Sequence, residues 1–532
     1  MKVNILEKKW YLYLTEFFSG MAVMAVELGA SRLLAPYFSS SQIVWTIIIG
    51  TIMIAMAIGN VMGGKWSDKD PDPAKLFRRI LVAAAWIALI PFLGRYVILG
   101  IMGIIVVAIN HNMLIWAAFA ACMIIFVYPL FLLGTVTPSL IRFTMSDVEE
   151  SGRVAGRLGA CNTVGSIIGT FLPTFVTIPA VGTSVTFLIF SGILLVLGAL
   201  YFVFSGGKKT AVLVCAVLYI FSCIFGWNAK FAFWIDDLTY EGESVYNYLQ
   251  VSEDDREVIL STNVMIGVQS VYMKNDTLTG MYYDYALGAP VMAGKEDPKV
   301  LILGMGTGTF ALQCKRYFPD ADIEGVEIDE KITDLAREYF NLPESIPVTT
   351  YDGRAFLNAS KDKYDIIMVD AYQDITIPFQ MSSVEFFSLV KEHLNEDGIM
   401  IVNLNMHGEE GDDDTALYLT DTVASVFPYV CVADVPYTTN REMFAAVDGD
   451  PGSKLSKALK DPMPSDLKRM MDKLSSRLIT VSGGDHIWTD DKAPVELIGM
   501  KAIDLLIQDE ASYYKDLYEK EGIKGLINDI IG

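Results

Sequence analysis

The stretch Lys299-Val300-Leu301-Ile302-Leu303-Gly304-Met305-Gly306-Thr307-Gly308-Thr309 decides the fold of half of this chain. Residues 299–303 read as a buried strand that runs into a turn with glycine at every second position. Phe310 to Tyr317 then reads as a helix, and Ile323-Glu324-Gly325-Val326-Glu327-Ile328-Asp329 as a second strand ending in acids. Glycines in such a turn let the backbone approach a ligand, and a carboxylate at the second strand's end can accept both hydroxyls of a ribose. Glu327 lies nineteen residues after Gly308, close to the ~20 that this arrangement uses. The unit predicts a nucleoside-cofactor site, with Gly304, Gly306, Thr307 and Gly308 in its turn. Two later strands end the same way, 346–351 before Asp352-Gly353 and 364–369 before Asp370. Ligands of open α/β sheets sit beyond the carboxyl ends of the strands. Glu327, Asp329, Asp352 and Asp370 are therefore expected to line one crevice, a helix cap or turn being the alternative for any one of them.

Upstream of this unit, 248–251, 257–260 and 267–272 alternate like strands of a small antiparallel sheet, with polar turns at 252–255 and 274–276. Downstream, 465–478 and 502–526 look helical. Asp490, Asp491 and Glu496 either face the crevice or cap a helix at Pro494, and His407 and His486 read as surface or structural residues.

The first 234 residues are different. The chain has 532 residues, 52% of them hydrophobic, with mean hydropathy +0.38 and a formal charge of −22. Those values exclude a disordered or fibrous protein. Residues 1–234 hold 16 Lys+Arg and 9 Asp+Glu, a net of +7, which leaves 25 basic and 54 acidic residues, a net of −29, for 235–532. So acidic a domain is a poor nucleic-acid binder, since phosphate contacts need Lys and Arg, and it suits a cationic substrate. Apolar runs at 10–34, 42–64, 77–93, 113–140, 155–180, 183–204 and 210–227 each approach the ~20 residues that cross a bilayer. The shorter run 96–110, set off by Arg95, makes the expected count seven or eight. The first run is read as an uncleaved span, because no small-residue cleavage site follows it. With seven spans all the basic loops fall on the cytoplasmic side and the acidic half outside the cell; with eight, the acidic half is cytoplasmic. Glu16 and Glu27, eleven residues apart, share one face of the first span. Such acids are costly in a membrane and are either functional or internal packing partners. The six cysteines include no CxxC pair and there are four histidines, so no metal site is expected.

The loop Gly63-Gly64-Lys65-Trp66-Ser67-Asp68-Lys69 with Arg78 and Arg79, and the run Gly152 to Arg157 leading into Asn162, resemble loops of major facilitator transporters. Residues 241–440 resemble the polyamine aminopropyltransferases (spermidine synthases). Together with the membrane half, and with 489–496, they resemble the fused membrane proteins that join both parts. The resemblance implies a multi-span α-helical membrane domain at 1–234, a small antiparallel β-sheet at 235–295 and a Rossmann-like, methyltransferase-type α/β domain at 296–532. It implies that Gln269, Gly304, Gly306, Gly308, Glu327, Asp352 and Gly353 hold the cofactor, that Tyr282 contacts the amine, and that Asp370 takes the attacking amine's proton. Three positions depart from the pattern. Thr307 stands where the family has an acid for the aminopropyl ammonium, Gln373 replaces a second amine-binding acid, with Asp374 beside it, and Asn247 replaces a glutamine.

The implied activity is transfer of an aminopropyl group from decarboxylated S-adenosylmethionine, or of a related group from S-adenosylmethionine, to a small cationic amine such as putrescine, with no metal. The lipid bilayer is the implied second partner, and a homodimer is left open. Thr307 favours the alternative of a methyltransferase on the same scaffold. Glu16 and Glu27 favour a polyamine transport or sensing protein that only binds a nucleoside. The expected location is the cell membrane, with the C-terminal domain favoured in the cytoplasm, where the cofactor is made, and the outside of the cell as the alternative.

Overall fold

The structure is a computed structural model and describes residues 9–38, 41–108, 113–145, 151–205, 209–235, 238–264, 268–371, 378–404, 415–495 and 520. The chain divides into two compact units. One comprises Met1–Asp236, Gly242–Tyr248 and Asn263–Met265, the other Asp237–Glu241, Leu249–Thr262 and Ile266–Gly532.

The first unit is helical: α1 (Lys9–Phe38), α2 (Gln42–Lys69), α3 (Pro73–Ala108), α4 (Met113–Ile125), α5 (Val127–Gly134), α6 (Val136–Thr144), α7 (Ser151–Leu172), α8 (Ile178–Ser205) and α9 (Thr210–Gly226). Its outward face is apolar, with Ile54, Val61, Phe171, Leu213 and Ile224 all more than half exposed, as suits lipid rather than water. Inside, small residues bring helices to backbone contact: a Cβ at Gly165 or Gly169 of α7 would collide with the carbonyls of Phe17 and Met21 on α1. By length and composition four helices among the described residues can cross a membrane: Lys9–Phe38, Gln42–Lys69, Pro73–Ile105 and Ser151–Ser205. The pair Leu114–Ile125 and Val127–Thr144, bent by 49°, makes a fifth if it is one span.

The expected runs relate to these helices in three ways. The described part of the run 96–110, as far as Ala108, continues α3, because Arg95 does not end the helix. Its guanidinium donates to the Lys230 carbonyl (2.6 Å) and lies over the rings of Tyr96 and Phe233, which satisfies the charge without unwinding the backbone. The runs 155–180 and 183–204 fall in the 55 residues Ser151–Ser205, which hold two helices, α7 and α8, with non-helical backbone at Gly182 (φ 79°), and which at ~1.5 Å per residue are far too long for one crossing. Thr210–Gly226, with 17 residues, lies at the short end of the ~17–25 residues that span a bilayer.

The second unit holds two sheets. Strands β1 (Leu238–Glu243), β2 (Tyr248–Glu253), β3 (Glu257–Ser261) and β4 (Ser270–Met273) form a four-stranded sheet in sequence order. Leu249, Val251, Val258 and Leu260 of this sheet cluster with Ile332 and Leu335 of α13 (Glu330–Tyr339). The main sheet has the order β12-β10-β11-β9-β8-β5-β6-β7. Its strands are β5 (Lys299–Leu303), β6 (Asp322–Glu327), β7 (Val348–Thr350), β8 (Tyr364–Val369), β9 (Leu394–Leu404), β10 (Tyr429–Asp434), β11 (Arg441–Ala446) and β12 (Ile479–Val481). Five strands, β7-β6-β5-β8-β9, are parallel, and β11, β10 and β12 continue the sheet antiparallel.

Alternate residues of β5 feed opposite cores. Val300 and Ile302 pack with Tyr282 and Tyr285 of α10 (Tyr282–Ala286), Phe310 and Cys314 of α12 (Thr309–Tyr317), and Met470 of α18 (Ser465–Ser475). Leu301 and Leu303 pack with Leu357 of α14 (Gly353–Ala359), Phe386 of α15 (Val384–Glu392) and Leu419 of α16 (Thr415–Val426). The remaining helices are α11 (Gly288–Ala293) and α17 (Pro451–Ala458). Leu303 lies opposite both Val326 of β6 and Val369 of β8. The residues that follow these three strands therefore leave the sheet at one edge, where the strand order reverses and ligands of such folds bind.

Candidate active site

The glycine-rich turn takes the conformation its residues allow. Gly304 (φ 84°), Gly306 (φ 54°) and Gly308 (φ 83°) are all left-handed, a region that costs other residues strain. Gly304 also has no room for a side chain, since a Cβ would lie 2.5 Å from the Asp370 carbonyl oxygen and 2.6 Å from the Ala371 Cα. The turn passes directly against the end of β8.

Glu327 ends β6, buried, and holds this turn. The Gly306 N–H donates to its Oε2 (2.9 Å) and the Asp329 N–H to its Oε1 (3.1 Å). Burial raises its pKa to about 7 despite those two bonds. Each oxygen keeps a lone pair for a further donor. Asp329 caps α13, accepting from the Lys331 N–H (3.1 Å), and Asp352 caps α14, accepting from the Ala355 N–H (2.8 Å). Two of the four strand-end acids thus serve as helix caps. Gly353 follows at the first position of α14, with Met381 and Leu303 at ordinary contact distance from an added Cβ.

Thr307 is buried. Its N–H donates to Ser270 Oγ (3.3 Å), while its own hydroxyl has no hydrogen-bond partner among the described residues. Gln269 precedes β4; its N–H donates to the Leu260 carbonyl (2.9 Å) and its carbonyl accepts from the Tyr283 hydroxyl (2.8 Å).

Asp370 follows β8 and is held on both oxygens. The Tyr282 hydroxyl donates to Oδ2 (2.8 Å) and Asn403 Nδ2 to Oδ1 (2.9 Å). Asn440 Nδ2 in turn donates to Asn403 Oδ1 (2.9 Å). Burial first, and the Glu327 charge in addition, raise the Asp370 pKa to about 7, against the pull of its two donors. Tyr282 is pushed up too, by burial and by the neighbouring carboxylate, so it stays a hydrogen-bond donor. The result is a part-buried base poised near neutrality with its orientation fixed.

The structure thus brings together Tyr282 with Asp370, and Gly306 with Glu327 and Asp329. Gln373, Asp374, Glu496 and His407 lie outside the described residues. Asp490 does not face the crevice as an unpaired acid: Arg354 donates to both its oxygens (2.7 Å each) and Ser383 Oγ to one (2.5 Å). His486 Nδ1 lies 3.1 Å from Asp421 Oδ2. In the other unit Glu16 is buried, its Oε1 accepting from Thr137 Oγ1 (2.5 Å) and Asn162 Nδ2 (2.9 Å), and Glu27 is half-buried. Among the described residues no group of three or more His, Cys, Asp or Glu is arranged to hold a metal. Asn403, Asn440 and Glu442 were not anticipated from the sequence. The signal available was an acid, Glu442, opening the apolar run Met443-Phe444-Ala445-Ala446.

Residues 281–450 match the spermine/spermidine synthase domain. Over 345 residues the chain is 52% identical to a "probable polyamine aminopropyl transferase" of Bifidobacterium longum, covering 62% of this chain and 77% of that one. The chain belongs to the polyamine aminopropyltransferase family. It is a transferase of that family, with a spermidine-synthase-like domain behind apolar helices. A "polyamine aminopropyltransferase" of Clostridium beijerinckii is 28% identical over 161 residues, 29% of this chain and 56% of its own length. A spermidine synthase structure from Thermotoga maritima is similar at 18% identity and a TM-score of 0.35, over 44% of this chain and 88% of that one.

Proposed function

We propose that this chain is a membrane-anchored aminopropyltransferase that moves an aminopropyl group from decarboxylated S-adenosylmethionine to a small cationic amine such as putrescine. The observation that carries the reading is Asp370, a part-buried carboxyl raised to about 7 and fixed by Tyr282 and Asn403 beyond the end of β8. A protonated amine cannot attack, and a carboxylate near neutrality takes its proton better than one in the usual acidic range.

The residues at the strand ends fit a nucleoside cofactor. The left-handed turn has no side chain at Gly304, Gly306 and Gly308, Glu327 keeps an acceptor site on each oxygen for a ribose diol, and the Thr307 hydroxyl is buried and unpartnered among the described residues. In this proposal Gln269, Gly304, Gly306, Thr307, Gly308, Glu327, Asp329, Asp352 and Gly353 hold that group, and Tyr282, Gln373 and Asp374 hold the amine. When bound, a sulfonium cofactor supplies an electrophilic carbon and a thioether leaving group. The chain's own part is positional: Asp370 accepts the amine's proton, Tyr282 and Asn403 keep the carboxylate in line, and burial excludes water.

Thr307 supports a second reading. Without an acid there, a cofactor that keeps its own carboxylate is less repelled, which favours methyl transfer from S-adenosylmethionine. Incubation with putrescine and each cofactor separates the readings by product mass, and no product from either sinks both. The catalytic unit faces the cytoplasm in this proposal, where the cofactor is made. A reporter fused after Gly532 that is active only outside the cell would contradict that placement.

A further inference from the structure

Glu442 is the second residue of β11 and is completely buried. Neither of its carboxyl oxygens has a hydrogen-bond partner among the described residues. Its register neighbours are Asn403 on β9 and Ala433 on β10. Asn403 shares its face of the sheet, because directly paired residues of antiparallel strands do. That asparagine spends one amide hydrogen on Asp370 and its carbonyl on Asn440. The polar groups beside Glu442 are thus bonded to one another and to the base, and Asp370 is the charged group that acts on Glu442. Two residues further along the strand Phe444 packs in the same core as Tyr282 and Tyr283.

A buried carboxyl without a partner is expensive, and an apolar residue of similar size would make a more stable strand. Groups kept at such a cost mark places where something else satisfies them. Two carboxyls around Asn403 can both ionise only if a cation lies with them. The attacking amine brings one charge and surrenders it to Asp370. A second ammonium on the same substrate would then satisfy Glu442. The loop position at which the family carries its second amine-binding acid is Gln373 in this chain.

We infer that Glu442 is a substrate-binding carboxylate that receives the non-reacting ammonium of a diamine or longer polyamine, replacing from β11 the acid missing at Gln373. This rests on the reading of the site as an amine site. It makes the chain selective for substrates with two or more amines over monoamines of the same length.

The test uses the full-length protein, with 1,4-diaminobutane and butylamine as probes and 5′-methylthioadenosine binding followed by calorimetry. Glu442→Gln is expected to raise the KM for the diamine about 10–100-fold, the value of one hydrogen bond to a charged group. The kcat is expected to stay within about threefold, like the methylthioadenosine affinity, because the reacting groups are untouched. Glu442→Asp recovers part of the loss, and the poor turnover of butylamine is unchanged by the substitution. If Glu442→Gln does not fold, Glu442→Met, which removes the buried charge, replaces it with the same expectation. A wild-type enzyme that turns over the diamine, alongside a variant with unaltered KM, overturns this inference alone. A wild-type enzyme that transfers nothing to any amine overturns the reading on which it rests.

Discussion

Replacing Asp370 by Asn removes the base and little else. The wild-type carboxylate takes the Tyr282 hydroxyl on one oxygen and Asn403 Nδ2 on the other. An amide offers one acceptor oxygen, so one of these two bonds is lost, at about 0.5–1.5 kcal/mol. Against that, the shift of the part-buried carboxyl from 3.8 to about 7 means that its charge costs folding on the order of 4 kcal/mol at pH 8. The sign follows from the raised value: the cost is absent below pH 3.8, grows between there and about pH 7, is constant above that, and is relieved by the amide. Asp370→Asn should therefore fold at least as stably as the wild type above pH 7. Catalysis should fall by about 10²–10⁴-fold, the usual worth of a positioned base, or roughly 3–5 kcal/mol of barrier. The assay is steady-state transfer to putrescine as a function of pH. Wild-type kcat should drop as pH falls through about 7, and the residual rate of the variant should lack that limb. A variant within tenfold of the wild type, with the same pH profile, would refute the assignment of Asp370 as the base.

Gly304→Ala should abolish methylthioadenosine binding in calorimetry, because its Cβ meets the Asp370 carbonyl at 2.5 Å and its φ is 84°; an unchanged affinity would mean that the turn is not at the ligand. Thr307→Asp should tighten decarboxylated S-adenosylmethionine and weaken S-adenosylmethionine by about tenfold each, as a buried carboxylate attracts an ammonium and repels a carboxylate, and competition binding reads both. Asp490→Asn should cost about 1 kcal/mol at neutral pH, a value kept small because Asp490 is part-exposed. Arg354 holds the Asp490 carboxyl below its usual value, so this contribution is present above pH ~4 and fades as the pH falls through the lowered pKa; thermal unfolding at pH 7 and pH 3 checks it.

The parts of the fold that were legible in the sequence are those set by local pattern. β5 and β8 fall where apolar runs of strand length end at Gly304 and Asp370, and the small sheet follows its alternation at 248–251 and 257–260. The 3.6-residue pattern at 465–478 becomes α18. The antiparallel end of the main sheet was not legible, because β9 pairs with β11 across a gap of dozens of residues and no local signal sets that register. The support of Asp370 was hidden for the same reason, since Asn403 and Asn440 reach it only through that pairing. In the helical unit hydropathy located the apolar runs but not their joins. Arg95 looked like a boundary, and its hydrogen bond to the Lys230 carbonyl and its place over the Tyr96 and Phe233 rings depend on tertiary contacts.

The most direct test of the account is the mass of the product formed when the purified full-length chain is incubated with putrescine and decarboxylated S-adenosylmethionine. Aminopropyl transfer predicts a gain of about 57 Da, with methylthioadenosine released in equal amount. A gain of about 14 Da, seen only with S-adenosylmethionine, would contradict it, as would unmodified putrescine with both cofactors.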